Sequence, residues 1–367
     1  MIQFNWFSTS NTGPVIDILR QFASHPAQHR VGSSAFVSTF AGDGFDWQAV
    51  RSALSSTPLY IMPNWQPSGE NAANPGVDGL FSWYAWPSAN NGPIDAKMST
   101  DMDGAYLGQV ASKGKAYMAP VSPWCKLAWF QNSEYKVQGV DHILSSPSVF
   151  THFGKQVSYS KNWLFKSEAL WYERWEQILD LAQRSPNLRY LEIITWNDYG
   201  ESHYVGPSDN GHSDDGSGVY TNNMPHLALL EFARPYIQAF KSGSPRPAVG
   251  GDKLVYWYRP TLKSVASCDG TDAVGSRPNG WEIVGDTVFV ATFSSSGGSI
   301  TVKSGSQGSV TKSIGAGVTM HQFDMGAGDQ SFSMQSGGRS LSGSSSQDVL
   351  DACLVSHLRR RKTSEIR

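Results

Sequence analysis

Long apolar runs are missing from this 367-residue chain. No stretch of roughly 18 apolar residues occurs, so a membrane-spanning helix is not expected. The first residues, MIQFNWFSTS, lack both a basic start and an apolar core, so no signal peptide is expected either. Charge of one sign is scarce: 29 Lys and Arg face 31 Asp and Glu. That balance argues against nucleic acid as a partner. Only three cysteines occur, Cys125, Cys268 and Cys353, too few for a disulfide framework. Cys268 and Cys353 could pair within the C-terminal region, which leaves Cys125 odd. No Cys/His spacing suits a transition metal, and no Gly-rich phosphate loop occurs, so no cofactor and no metal are expected.

Aromatic rings are plentiful instead. The chain holds 13 Trp, several beside Gly, Pro, Asn or Ser rather than inside apolar runs. Flat rings among amides and hydroxyls suit the faces of neutral sugars; burial of large rings in a core is the competing explanation for any one of them.

From the start to about residue 241, short apolar runs end in polar and aromatic clusters and are followed by helical patterns. The runs cover residues 2–4, 31–37, 59–62, 80–82, 116–121 and 190–195. Helical spacing covers 14–24, 45–55, 103–113 and 167–183. Strands alternating with helices predict an α/β fold with a parallel sheet, of the (β/α)8-barrel type. About six units are visible and the first begins at residue 2, so the pattern reads as a barrel lacking about two upstream units. Residues 242–252 are rich in Gly, Ser and Pro and read as a linker. Residues 253–340 alternate in short runs with Gly/Ser turns and predict a small β-sandwich-like domain. Residues 341–367 lose pattern and read as a disordered tail.

The densest cluster follows the last of these runs. Residues 191–207 read LEIITWNDYGESHYVGP, a buried strand emptying into Trp196, Asn197, Asp198, Tyr199, Glu201, His203 and Tyr204. Asp198 and Glu201 stand three residues apart around Gly200. Two neighbouring carboxyls among rings are the parts that glycosidic hydrolysis requires. A loop whose Asp caps the turn and whose Glu is merely solvated is the alternative. His203 suits either contact with a carboxylate or sugar, or an ordinary structural role. Asn5, Trp65, Trp83, Trp86 and Trp124 also fall at or near strand ends and, with Trp196, Asn197, Tyr199, His203 and Tyr204, are candidates for substrate contact.

Taken together, WNDYGESHYVGP, VSPW, PNWQ, FSWYAWP and VSYSKNW resemble the fungal α-1,3-glucanases (mutanases) of glycoside hydrolase family 71. The resemblance spans about residues 4–124 and 150–300. It implies a (β/α)8 barrel with a C-terminal β-sandwich, an extracellular location, α-1,3-glucan as partner, and hydrolysis with inversion. It also implies that Asp198 and Glu201 are the catalytic pair, with Glu201 taken as acid and Asp198 as base. Two departures stand out. Gln3 occupies a position where the resemblance implies an Asp. Residues 125–149 have no counterpart and read as an insertion that packs poorly and carries no chemistry. The alternatives to a glucanase are a remnant that binds glucan without cleaving it and a hydrolase of another polysaccharide.

Overall fold

The computed structural model describes residues 1–4, 9–87, 92–123, 143–145, 163–199, 201, 203–207, 226–265, 279–345 and 347–351. The fold is mixed α/β and divides into two compact units. One comprises residues 1–85, 99–121 and 180–193; the other comprises 86–98, 122–179 and 194–367.

The described residues of the first unit hold two parallel ladders in chain order: β1 (Ile2–Phe4), β3 (Ser34–Thr39) and β4 (Leu59–Pro63), then β5 (Gly79–Phe81), β6 (Ala116–Val121) and β8 (Leu188–Ile193). A two-residue strand, β2 (Arg30–Val31), turns back on β3. The ladder lapses between β4 and β5, where the Asp78 amide donates to the Ile61 carbonyl at 2.8 Å and Asn64 Nδ2 to the Phe81 carbonyl at 3.1 Å. Helices α1 (Gly13–Phe22), α2 (Trp47–Ala53), α3 (Gly69–Ala73) and α4 (Asp101–Ala111) follow β1, β3, β4 and β5. Asp46 and Ser68 cap α2 and α3 by accepting from the Ala49 and Asn71 amides. Strand β6, AYMAPV, is buried at every position. An unbroken apolar run is what a parallel strand covered on both faces requires.

The row of strands curls. Tyr190 of β8 meets Phe36 of β3 at 5.3 Å and Tyr60 of β4 at 5.6 Å between ring centroids, although β6 is its ladder partner. Two residues on, and so on the same strand face, Glu192 hydrogen-bonds Gln3 of β1. Gly79 permits the close approach of β5 to β6: a β-carbon there would sit 2.3 Å from the Ala116 carbonyl oxygen.

The second unit holds two four-stranded sheets. Their orders are β13–β10–β9–β7 and β12–β11–β14–β15. The first contains Gly317–Asp324, Thr287–Ser294, Lys253–Trp257 and Ile143–Ser145 (β13, β10, β9, β7). The second contains Val310–Ile314, Gly298–Ser304, Gln330–Ser336 and Arg339–Ser344 (β12, β11, β14, β15). Leu254, Tyr256 and Val290 of the first share one core with Ile300, Val302, Phe332 and Met334 of the second. Tyr256 stacks on Phe332 with centroids 3.9 Å apart. Helix α6 (Leu227–Ser242) ends at Gly243, whose φ of 69° is the left-handed cap. It packs on α5 (Leu170–Arg184), with Tyr236 Oη donating to Glu176 Oε1 at 2.6 Å.

Two boundaries differ from the sequence pattern. The β-rich region does not stop at 340: β15 runs to Ser344, and Val349 and Leu350 bridge to Gly328 and Thr261. A Ser/Gly run has little strand preference of its own, and the partner strand β14 supplies the register. Of the segment 125–149, Ile143–Ser145 lies within the described residues and pairs in parallel with β9. Three residues of that segment thus contribute a strand, and the rest lie outside the described residues. Cys125, Cys268 and Cys353, and with them any pairing, lie outside the described residues.

Candidate active site

The chain leaves β8 at Ile193 and enters a closed loop of the second unit. The Thr195 amide donates to the His203 carbonyl at 3.1 Å, Val205 returns a bond to the Thr195 carbonyl at 2.9 Å, and Gly206 bonds the Trp196 carbonyl at 3.0 Å. These rungs zip the two stems together and force the residues between into a tight bend.

Inside the bend, Thr195 Oγ1 accepts from the Asp198 amide at 2.9 Å. Asp198 Oδ1 accepts from the Glu201 amide at 3.0 Å. A Thr–x–x–Asp–x–x–Glu relay of side chain onto backbone therefore sets where each carboxyl begins. His203 Nε2 lies 3.1 Å from Glu201 Oε2 and 3.5 Å from Asp198 Oδ2. The imidazole is fully buried, with 0% of its side chain exposed, while Asp198 keeps 40% and Glu201 27%. Trp86 packs against the imidazole with centroids 5.1 Å apart. Tyr204 stacks on His226 at 4.0 Å, and its carbonyl lies 2.7 Å from His226 Nδ1.

Burial alone would depress the His203 pKa, but the Asp198 and Glu201 carboxylates and a hydrogen bond to the Ile194 carbonyl outweigh it and hold it above the ordinary value. With a carbonyl and two carboxylates as acceptors, the imidazole is served best with both nitrogens protonated. Among the described residues, Asp198, Glu201 and His203 form the one cluster compact enough for a cation, their ligand atoms lying within 4.8 Å of one another. Hydrogen bonding to His203 already accounts for that closeness.

The loop thus brings Asp198, Glu201 and His203 together and leaves Trp196 and Asn197 exposed beside them. Tyr199 is half-buried and spends its hydroxyl on the Pro207 carbonyl at 3.0 Å. Four candidates for substrate contact turn out to be buried, His203 among them. Tyr204 is sandwiched by His226 and Tyr199. Trp86 is covered and supports His203. Trp65, in the first unit, is 1% exposed and donates Nε1 to the Gly42 carbonyl at 2.7 Å. Each ring packs against protein, so none offers an open face to a ligand. Trp83, also in the first unit, is half-buried and meets Phe40 edge to face. Asn5 and Trp124 lie outside the described residues. Sequence reasoning missed Thr195, whose signal was a hydroxyl three residues before an Asp.

A family model for glycosyl hydrolase family 71 matches residues 2–143 and 127–359. The chain belongs to glycosyl hydrolase family 71. Within reach of that family lies a mutanase of Penicillium rubens, 40% identical over 355 residues, 96% of this chain and 71% of that protein. A glucan endo-1,3-alpha-glucosidase of Schizosaccharomyces pombe is 33% identical over 353 residues, 92% and 73% of the two chains. An ascus wall endo-1,3-alpha-glucanase of the same yeast is 28% identical over 334 residues, 85% and 67%. The family membership makes the chain a glycoside hydrolase, and the loop carrying two carboxylates at a strand end is its candidate active site.

Proposed function

We propose that this family 71 chain hydrolyses α-1,3-glucosidic bonds of glucan, with Asp198 and Glu201 as the reacting pair. The observation that carries the reading is the convergence of both part-exposed carboxyls on one buried imidazole. The names of the relatives supply the bond type. Glu201 protonates the leaving oxygen as the C1–O bond breaks. Asp198 takes a proton from the water that attacks C1. Trp196 and Asn197, exposed beside the pair, offer a ring face and an amide to the sugar. The curling row of parallel strands supports a barrel of the (β/α)8 type, and the paired sheets of the second unit support a β-sandwich. An insoluble wall-type glucan as substrate supports an extracellular site of action; no helix among the described residues is long and apolar enough to cross a membrane.

The test is reducing-sugar release from insoluble α-1,3-glucan by the chain and by Asp198→Asn and Glu201→Gln. Loss of hydrolysis with glucan pull-down retained is expected. Equal loss of both would make the two residues substrate anchors. Release from other polysaccharides but not from α-1,3-glucan would overturn the bond assignment.

Inversion at C1 is the outcome the resemblance implies. One observation favours retention as a second reading. The ligand oxygens of Asp198 and Glu201 lie within 4.8 Å, whereas inverting pairs commonly stand about 6.5–9.5 Å apart to admit a water. Proton NMR of freshly released sugar decides: the β-anomer first means inversion, the α-anomer first means retention.

A further inference from the structure

We propose that His203 is a positioning residue that presents one N–H to both carboxylates of the pair, fixing their spacing and offering a donor to the charge that develops on Glu201. The proposal rests on the reading of Asp198 and Glu201 as the reacting groups.

Several independent contacts hold the ring in this place. Its own backbone carbonyl is pinned by the Thr195 amide. Nδ1 lies 3.3 Å from Thr195 Oγ1, the same oxygen that accepts from the Asp198 amide. Trp86 covers the imidazole, which has no solvent exposure. Nε2 is left pointing at Glu201 Oε2 and, 0.4 Å further away, at Asp198 Oδ2. A histidine serving only the core needs one acceptor and is commonly neutral. This one sits among acceptors, and two of them are the groups that exchange protons in the reaction.

The chemical consequence concerns Glu201. When its proton leaves for the glycosidic oxygen, the new carboxylate meets an N–H already aimed at it. A donor fixed before the reaction stabilises developing charge without reorganising solvent. Asp198 gains its proton from water beside the same donor, and His203 keeps its own protons throughout. The charged groups facing the imidazole among the described residues are Asp198 and Glu201. Trp86 and Thr195 add no charge, and the Ile194 carbonyl adds a further acceptor. Removing the imidazolium takes a cation from beside Asp198, the base, so the acidic limb of the rate profile moves to higher pH.

Two substitutions separate positioning from packing. His203→Phe keeps a ring against Trp86 and removes the N–H. His203→Gln keeps a donor and removes the charge. With folding checked by circular dichroism and melting, His203→Phe is expected to lower kcat on α-1,3-glucan about 10–100-fold with KM nearly unchanged. Its acidic limb should rise by about one pH unit. His203→Gln should regain part of kcat while keeping the displaced limb. A folded His203→Phe with unchanged kcat and limb overturns the proposal. So does activity that merely tracks the folded fraction with the limb unmoved. If His203→Phe does not fold, the limb of His203→Gln decides. Asp198→Asn and Glu201→Gln are assayed alongside: hydrolysis persisting in them would overturn the carboxylate reading itself, whatever His203 does.

Discussion

The indole of Trp196 rests directly on Gly206. A β-carbon at position 206 would lie 3.0 Å from Cε2 of the indole and 2.7 Å from the Trp196 carbonyl oxygen. The backing is snug, yet 58% of the Trp196 side chain remains exposed. One face is braced by backbone and the rest is open to solvent. Trp196→Ala is expected to raise KM for glucan several-fold with kcat little changed, consistent with about 1 kcal/mol for a ring contact. Gly206→Val should lower kcat as well, because its β-carbon would meet the Trp196 carbonyl and open a rung that holds the carboxylate loop. Initial rates over a range of glucan concentration check both; a fall in kcat with KM constant would move Trp196 from binding to the chemical step.

Two buried carboxyls make stability fall as pH rises. Burial pushes Glu192 up to about 7 despite its hydrogen bond to Gln3. Burial likewise pushes Glu168 up to about 7 despite Arg259 and the Gly285 amide. Each folded-state pKa lies above the unfolded value, so the native state holds protons that the unfolded chain has released. Stability is therefore expected to decline from about pH 4.5 and level off above about pH 7. Urea midpoints at pH 5 and pH 8 read the difference, and Glu192→Gln should shrink it. A midpoint that rises over this window would contradict the sign.

Arg259 is buried and its Nη2 reaches the Gly285 carbonyl at 2.5 Å and the Asp286 carboxylate. Asp286 in turn accepts from the Lys263 amide at 2.7 Å. Arg259→Met leaves Asp286 with one partner fewer. Breaking a buried pair costs about 3–5 kcal/mol. Asp286 is one-third exposed, so a loss nearer 2 kcal/mol is expected. Chemical denaturation followed by Trp fluorescence measures it; an unchanged midpoint would mean that water replaces the guanidinium.

Dialysis against EDTA is expected to leave glucan hydrolysis unchanged, because His203 already joins the carboxylates that a cation would otherwise bridge. Activity lost to chelation and restored by a divalent ion would instead make Asp198, Glu201 and His203 a metal site.

Much of this was legible in the residues themselves. Alternating apolar runs and helical periods placed β3, β4, β6 and β8 and helices α2, α4 and α5, but not the short α3, because those periods are local properties of the backbone. Asp198 and Glu201 could be picked out because a strand rarely empties into two carboxyls without a use for them. Burial was not legible. Trp65 and Tyr204 have the same neighbours in sequence that a sugar-stacking ring would have, but Gly42 and His226, distant in the chain, cover them. The strand at Ile143–Ser145 was hidden for the same reason: β9 supplies its partner from over a hundred residues away.

By itself the sequence determined which chemical groups are present and in what order along the chain, and that suffices for the locally periodic helices and strands and for a two-carboxylate motif. Only the tertiary structure decided which of those groups meet. His203 faces both carboxylates because the stems of the loop close through backbone hydrogen bonds and Trp86 seals the ring from water. Spacing in sequence fixes neither contact, since both depend on the directions in which separate segments are packed.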